Sequence, residues 1–128
     1  MSLERKKILI IDEKLITKPL EKIFNLAGMN AFSLSPRMGL EETVNQITYD
    51  SLIIEPFIFY SPLTSISKDS FQRIVSRTRE QNAKILIFST MDEKTAKKYG
   101  IQRSQYDQYL VKPKDLLNIL GTLKSMFS

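Results

Sequence analysis

Several residue types on which protein chemistry often depends are missing from this chain. Its 128 residues include no cysteine, no histidine and no tryptophan. Without cysteine there are no disulfides, thiolate metal sites or cysteine nucleophiles. Without histidine there is no imidazole acid–base catalysis, and most transition-metal sites are excluded. Any chemistry must therefore use carboxylates, hydroxyls, amines and backbone groups.

Long apolar stretches are also missing. No run approaches the roughly 20 residues that span a bilayer, and the short apolar run behind the basic N-terminus contains Asp12, unlike a signal peptide. We therefore expect no membrane segment and a cytoplasmic location. Hydrophobic residues make up 42% of the chain and charged residues 26%, which indicates a globular protein. The length predicts one domain, residues 1–128.

The net charge of +5 is spread along the chain rather than concentrated in one segment. The basic residues are not interleaved with aromatic residues, as they are in surfaces that stack nucleic-acid bases. Charge runs of this kind are usually solvated helix faces and strand flanks. We therefore expect no direct binding of nucleic acid.

Short apolar runs alternate with amphipathic segments along the whole chain. The runs predict buried strands, with a weaker edge strand at Asn30–Leu34; the buried ones are Lys7–Ile11, Ser51–Glu55, Lys84–Ser89 and Gln108–Val111. Strands that alternate with helices of this length imply βαβ units and a parallel sheet. The predicted fold is a three-layer doubly wound α/β domain with five strands and five helices.

The intervening segments predict the helices. The first helix has one apolar stripe and contains Pro19, so it is expected to start late or to bend; the stripe is Ile16, Leu20, Ile23, Phe24 and Ala27. Residues 55–68 are predicted to form a loop. The last helix is predicted to start near Lys114 or Asp115 and to bury four side chains, namely Leu116, Leu120, Leu123 and Phe127.

Polar side chains stand at the ends of the four buried runs. The ends are occupied by Asp12 with Glu13, by Glu55, by Ser89 and by Lys112. In open parallel sheets, ligands bind just beyond the carboxyl ends of the strands. If the runs lie side by side and point the same way, three carboxylates, one hydroxyl and one ammonium group meet in one crevice.

Three segments resemble the receiver domain of two-component response regulators. KILIIDE resembles its first strand with an acidic pair, KILIFST its fourth strand ending in a hydroxyl, and QYLVKP its fifth strand with an aromatic residue, lysine and proline. The similarity runs from KILIIDE to the last helix, and the order of the segments is more specific than any one of them. The resemblance implies a flavodoxin-like sheet with strand order 2-1-3-4-5.

The resemblance also implies a role for each of these residues. Mg²⁺ would bind Asp12, Glu13 and Glu55, because it takes oxygen ligands and keeps several waters. The Ser89 hydroxyl and Lys112 would contact a phosphoryl group, and Tyr109 would be the switch aromatic residue before a cis Lys112–Pro113 bond. The implied partners are a histidine kinase or a downstream signalling protein. A homodimer would use the surface of helix four, strand five and helix five.

Glu55 departs from the family pattern, which has aspartate as the phosphoacceptor at this position. The extra methylene moves the carboxylate outward by more than about an ångström, and phosphoryl transfer depends on placement at that scale. We expect a charge-assisted Glu55–Lys112 contact that partly mimics phosphorylation. The leading hypothesis is an atypical, non-enzymatic receiver that signals without phosphorylation. One alternative is a Mg²⁺-dependent phosphoacceptor that uses Glu55 or Ser89.

A second alternative is an unrelated flavodoxin-like ligand-binding domain, although no glycine-rich phosphate loop follows the first strand. Each of the site residues could also have a purely structural role. The acidic pair suits the positive end of the first helix, the Ser89 hydroxyl can satisfy backbone at a strand end, and Tyr109 fits a half-buried strand position. The apolar segment 57–60 forms either a partner-binding patch or part of the core.

Overall fold

A five-stranded parallel sheet forms the centre of the computed structural model, which describes residues 5–60 and 67–127. Its strand order is β2-β1-β3-β4-β5, and every neighbouring pair is parallel. The strands are β1 (Lys7–Ile11), β2 (Asn30–Leu34), β3 (Ser51–Ile54), β4 (Lys84–Ser89) and β5 (Gln108–Val111). The predicted sheet and its strand order are therefore confirmed.

The described ranges contain five α-helices, of which the first four lie between successive strands and the fifth follows β5. They are α1 (Lys14–Leu26), α2 (Leu40–Asn45), α3 (Lys68–Glu80), α4 (Glu93–Lys98) and α5 (Ile119–Met126). Local chemistry sets several of their ends. The Ser67 hydroxyl accepts from the third N–H of α3, and the Asp92 carboxylate accepts from Thr95 N at 2.7 Å in α4. Gly28, with φ of 90°, takes the left-handed conformation just after α1.

The helices cover both faces of the sheet, so β1 is buried throughout its apolar run. Leu9 and Ile11 pack with residues of α2, α3 and α4, whereas Ile8 and Ile10 pack with residues of α1 and α5. All four side chains are fully buried. This explains why β1 is a continuous apolar run rather than an alternating one.

None of the described helices is long and apolar enough to cross a membrane.

Of the two effects predicted for Pro19, a late start or a bend of α1, the late start was wrong. The helix begins at Lys14, so Pro19 lies inside it. Proline has no N–H, which leaves the Leu15 carbonyl without its usual donor four residues on. Leu15 and Pro19 are both exposed, so water can bond to this carbonyl. Ala27, which was predicted to face inward, is exposed as well.

The predicted start of the last helix was also wrong. Residues 112–115 form a turn, a short 3₁₀ helix follows at Leu116–Asn118, and α5 begins at Ile119. The Asp115 carboxylate accepts from Val111 N at 2.8 Å, which holds the chain in a turn at this point. Leu116 is therefore 39% exposed rather than buried. Leu123 and Phe127 are buried, as predicted.

The predicted loop after β3 begins with a 3₁₀ helix at Pro56–Phe59. Ile58 and Phe59 belong to the core, where the ring of Phe59 lies 5.6 Å from that of Phe71. Phe57 is 42% exposed. The core reading of this segment therefore holds for Ile58 and Phe59 but not for Phe57. The rest of the predicted loop, residues 61–66, lies outside the described residues.

Candidate functional site at the carboxyl edge of the sheet

The polar strand ends meet at one edge of the sheet, as expected. Ile11 of β1 pairs with Ile54 of β3, so Asp12 and Glu55 follow their strands at the same level. On the other side of β3, the end of β4 pairs with the end of β5, and the next residue is Lys112. Parallel strands end on the same edge, and this brings residues distant in sequence together.

Lys112 links the two buried carboxylates of this edge. Its Nζ lies 2.5 Å from Asp12 Oδ2 and 3.5 Å from Glu55 Oε1. The side chains of Lys112, Asp12 and Glu55 are only 9%, 7% and 5% exposed, respectively. The structure thus contains the contact predicted between Glu55 and Lys112. The closer contact with Asp12 was not predicted, because nothing in the sequence spacing shows how far the lysine reaches across the sheet.

The carboxylate of Glu55 is held by two backbone donors as well as by the lysine. Oε1 accepts from Thr90 N at 3.0 Å, and Oε2 accepts from Phe57 N at 3.2 Å. Hydrogen bonds to an ionised acceptor are among the stronger ones in proteins. Sequence reasoning missed Thr90, although its position directly after Ser89 placed it at the same edge of the sheet.

The acidic pair after β1 divides into one buried and one exposed residue. Asp12 Oδ1 accepts from Glu13 N at 2.7 Å. Burial raises the pKa of Asp12 above its ordinary value, although the hydrogen bond from Lys112 acts in the opposite direction. Glu13 is exposed and its side chain makes no capping bond to α1. The two acidic side chains therefore have different surroundings.

Ser89 and Tyr109 both bond to the loop between β4 and α4. The fully buried Ser89 hydroxyl accepts from Met91 N at 3.0 Å. The Tyr109 hydroxyl donates to Met91 O at 2.7 Å and lies 3.3 Å from Asp92 O. Burial raises the pKa of Tyr109 to about 12. The Lys112–Pro113 bond is cis, as the resemblance implied.

The carboxylates in this arrangement do not fit a magnesium ion. Mg²⁺ demands a near-octahedral set of oxygens at about 2.0–2.1 Å. Here the ammonium of Lys112 lies 2.5 Å from Asp12 Oδ2 and 3.5 Å from Glu55 Oε1, beside both carboxylates, where such an ion would have to bind. Within residues 5–60 and 67–127, no group of three or more acidic, histidine or cysteine side chains is arranged to hold a metal ion.

An apolar groove of about 430 Å³ adjoins the ion pairs that Lys112 forms with Asp12 and Glu55. Its walls are α1 and the segment after β5, and its lining is Leu15, Ile16, Pro19, Leu20, Ile23, Phe88, Thr90, Lys112, Pro113 and Leu116. Leu15 is 88% exposed. Three lysines stand along α1 at intervals of four residues, namely Lys14, Lys18 and Lys22, and all are exposed. Residues four apart share one side of a helix, so a basic row borders the apolar groove.

No protein-family model matches the chain, and no curated protein matches it by sequence. Solved structures do match. A two-component response regulator from Clostridium difficile has 19% identity and a TM-score of 0.72, with 96% of each chain covered. Response regulator TrrA from Thermotoga maritima, solved with Mg²⁺-BeF, has 17% identity and a TM-score of 0.65 over 94% of this chain and 97% of that one.

A structure of histidine kinase ThkA in complex with TrrA also matches. Its matching chain has 20% identity and a TM-score of 0.67, with 96% of this chain and 99% of that chain covered. Identities this low show similarity of fold. The strand order and the helices on both faces agree with that similarity. The fold of this chain is therefore that of a response regulator receiver domain.

Proposed function

We propose that this chain is an atypical receiver domain of a two-component system, a non-enzymatic module that acts through protein contacts without being phosphorylated. The observation that carries the proposal is the set of contacts made by Glu55, the residue that the resemblance assigns to the phosphoacceptor position. Its buried carboxylate already accepts from Thr90 N and Phe57 N, and it faces the ammonium of Lys112.

An acceptor carboxylate must present a free oxygen in line with the phosphoryl group. Each oxygen of Glu55 accepts a backbone hydrogen bond, which fixes the orientation of the carboxylate and lowers its nucleophilicity. The longer side chain also brings the carboxylate close to Lys112, into the space where the resemblance would place the phosphoryl group. Placement errors at the ångström scale are costly for such transfers.

The same contacts support a permanently engaged pocket. A negative group between Lys112 and the amide of Thr90 holds the start of the loop between β4 and α4. Tyr109 holds the next residue of that loop through Met91 O. Glu55 has less charge than a phosphoryl group, but it is always present. On this proposal the loop keeps one conformation and needs no phosphorylation to adopt it.

The partner is a protein that docks on the apolar groove between α1 and Pro113. The groove presents exposed Leu15 and Pro19 beside the basic row Lys14, Lys18 and Lys22. An amphipathic helix with acidic flanks complements both features. The similar fold of a chain in the ThkA–TrrA complex supports a signalling protein as partner. Homodimerisation stays a prediction.

Phosphorylation is tested by incubating the purified protein with Mg²⁺ and acetyl phosphate and measuring its intact mass. We expect no phosphoryl gain. The matched variant Glu55→Asp, with its shorter carboxylate, reports whether side-chain length is the obstacle. A stoichiometric gain in the unaltered protein that disappears in Glu55→Gln or Ser89→Ala would contradict the proposal and support a working phosphoacceptor.

Docking is tested with two exposed leucines of the same helix. Leu15 lines the groove, whereas Leu26, which is 80% exposed, does not. Titration calorimetry against purified histidine kinases from the source organism measures the affinity. For a kinase that binds, we expect Leu15→Glu to weaken binding by tenfold or more and Leu26→Glu by less than twofold. Equal effects of the two substitutions would exclude this groove as the docking surface.

A further inference from the structure

Three charged side chains, those of Asp12, Glu55 and Lys112, form one set of ion pairs at the carboxyl edge. Lys112 Nζ is 2.5 Å from Asp12 Oδ2 and 3.5 Å from Glu55 Oε1, and each side chain is more than nine-tenths buried. Buried charges are retained in proteins when they are paired and hydrogen-bonded. The set therefore depends on the ammonium group, because without it two carboxylates would face each other with no counter-charge.

A divalent ion between these carboxylates would compete directly with the ammonium. An ion that coordinates Asp12 Oδ2 would share this oxygen with Lys112 Nζ, and two cations on one oxygen repel each other strongly at buried sites. The same ammonium lies 3.5 Å from Glu55 Oε1, so an ion that bridges the two carboxylates would meet it at both. One ammonium group of the chain therefore already holds the position that a divalent ion would need, and it offsets one of the two negative charges.

We propose that Lys112 is the resident cation of this pocket: its ammonium takes the place of a divalent ion between Asp12 and Glu55, and its loss converts the pocket into a divalent cation site. In Lys112→Met, both carboxylates keep their backbone donors and gain a free face toward each other. Two carboxylates and water are ligands that Mg²⁺ and Mn²⁺ accept. The inference rests on these side-chain contacts and goes beyond the proposed function.

The test is a titration of the purified protein with Mn²⁺, without phosphodonor, in which electron paramagnetic resonance measures free Mn²⁺. We expect Lys112→Met to bind one Mn²⁺ at least tenfold more tightly than the unaltered protein. The matched control is Lys114→Met, two residues away and exposed, which should behave like the unaltered protein. Adding Asp12→Asn to Lys112→Met should abolish the gain.

Two results would overturn the inference. One is tight, stoichiometric Mn²⁺ binding by the unaltered protein that Asp12→Asn removes. The other is a folded Lys112→Met that binds no better than the unaltered protein. If Lys112→Met is unfolded in the absence of metal, thermal unfolding measured with and without Mg²⁺ provides the test. A ligand that binds only the native state favours folding, so refolding on Mg²⁺ addition supports the inference, and failure to refold at saturating Mg²⁺ contradicts it.

The phosphorylation test and the metal test can fail separately. A phosphoryl gain at Glu55 would end the proposal of phosphorylation-independent action. It would leave the exclusion of metal by Lys112 to be decided by the Mn²⁺ titration. Tight Mn²⁺ binding by the unaltered protein, without any phosphoryl gain, would end only the inference about Lys112.

Discussion

The carboxylate of Glu55, which directly follows β3, accepts a hydrogen bond at 3.0 Å from the backbone N–H of Thr90, which directly follows β4. This bond joins two neighbouring strand ends through a side chain. The hydroxyl of Tyr109, a residue of β5, donates to Met91 O of the same short loop at 2.7 Å. The segment between β4 and α4 is thus held from both sides.

Removing the Glu55 carboxylate should lower the free energy of unfolding. Glu55→Ala leaves the N–H groups of Thr90 and Phe57 without their acceptor and Lys112 with one carboxylate instead of two. We expect a loss of about 3 kcal/mol, measured by urea unfolding. Glu55→Gln keeps an acceptor oxygen and should lose about 1 kcal/mol. The exposed control Glu80→Ala should change stability by less than about 0.5 kcal/mol; similar losses in the two alanine variants would contradict the role of Glu55.

Removing the Tyr109 hydroxyl should loosen the loop between β4 and α4. Tyr109→Phe deprives Met91 O of its donor while keeping the ring, so we expect a loss of about 1 kcal/mol. Amide hydrogen exchange at Thr90 and Met91 should accelerate. The control is Tyr106→Phe, because the Tyr106 hydroxyl donates to Glu93 of α4 instead. If exchange at Thr90 and Met91 is unchanged in Tyr109→Phe, the hydroxyl does not hold this loop.

The stability of the fold should fall at alkaline pH. Burial raises the pKa of Tyr109 and of Tyr106 from 10.0 to about 12, and the Glu93 carboxylate adds to the shift of Tyr106. Between pH 10 and 12, the native state therefore binds more protons than the unfolded state, so stability decreases as pH rises through this window. Urea unfolding across that window measures the slope. The double variant Tyr106→Phe/Tyr109→Phe should make the slope less steep, although burial also raises the pKa of Tyr49 and Tyr60, so part of the slope should remain. An unchanged slope would argue against Tyr106 and Tyr109.

The start of α5 can be tested with two leucines that are six residues apart. Leu123, which belongs to α5, is fully buried, whereas Leu117, in the preceding 3₁₀ helix, is 96% exposed. We expect Leu123→Ala to cost about 3 kcal/mol through lost burial and a cavity. Leu117→Ala should stay within about 0.5 kcal/mol of the unaltered protein. Both values come from urea unfolding, and a large loss in Leu117→Ala would mean that the helix packs differently.

The strands were the most predictable elements because their burial has a local signature. β1 has helices on both faces, so every residue from Ile8 to Ile11 had to be apolar, and the run could be recognised without knowledge of its neighbours. The start of the last helix was less predictable. Its apolar spacing extends back to Leu116, but the bond from Val111 N to the Asp115 carboxylate keeps that region in a turn.

Part of the site could be predicted for a similar reason. Parallel strands bring their carboxyl ends to one edge. The types of residue at those ends therefore predicted a crevice that contains acidic groups, a hydroxyl and a lysine. The partners within the crevice could not be predicted in the same way. Asp12 and Lys112 are 100 residues apart in sequence, and their contact depends on strand order, register and side-chain reach.

Residue types along the chain were therefore sufficient to determine a parallel α/β sheet and the set of polar groups at its carboxyl edge, because burial and strand direction constrain them locally. Tertiary structure alone decided that Lys112 lies closer to Asp12 than to Glu55, and that Glu55 bonds to Thr90. Such pairings depend on differences of about an ångström between side chains from different strands. The linear sequence does not specify those distances directly.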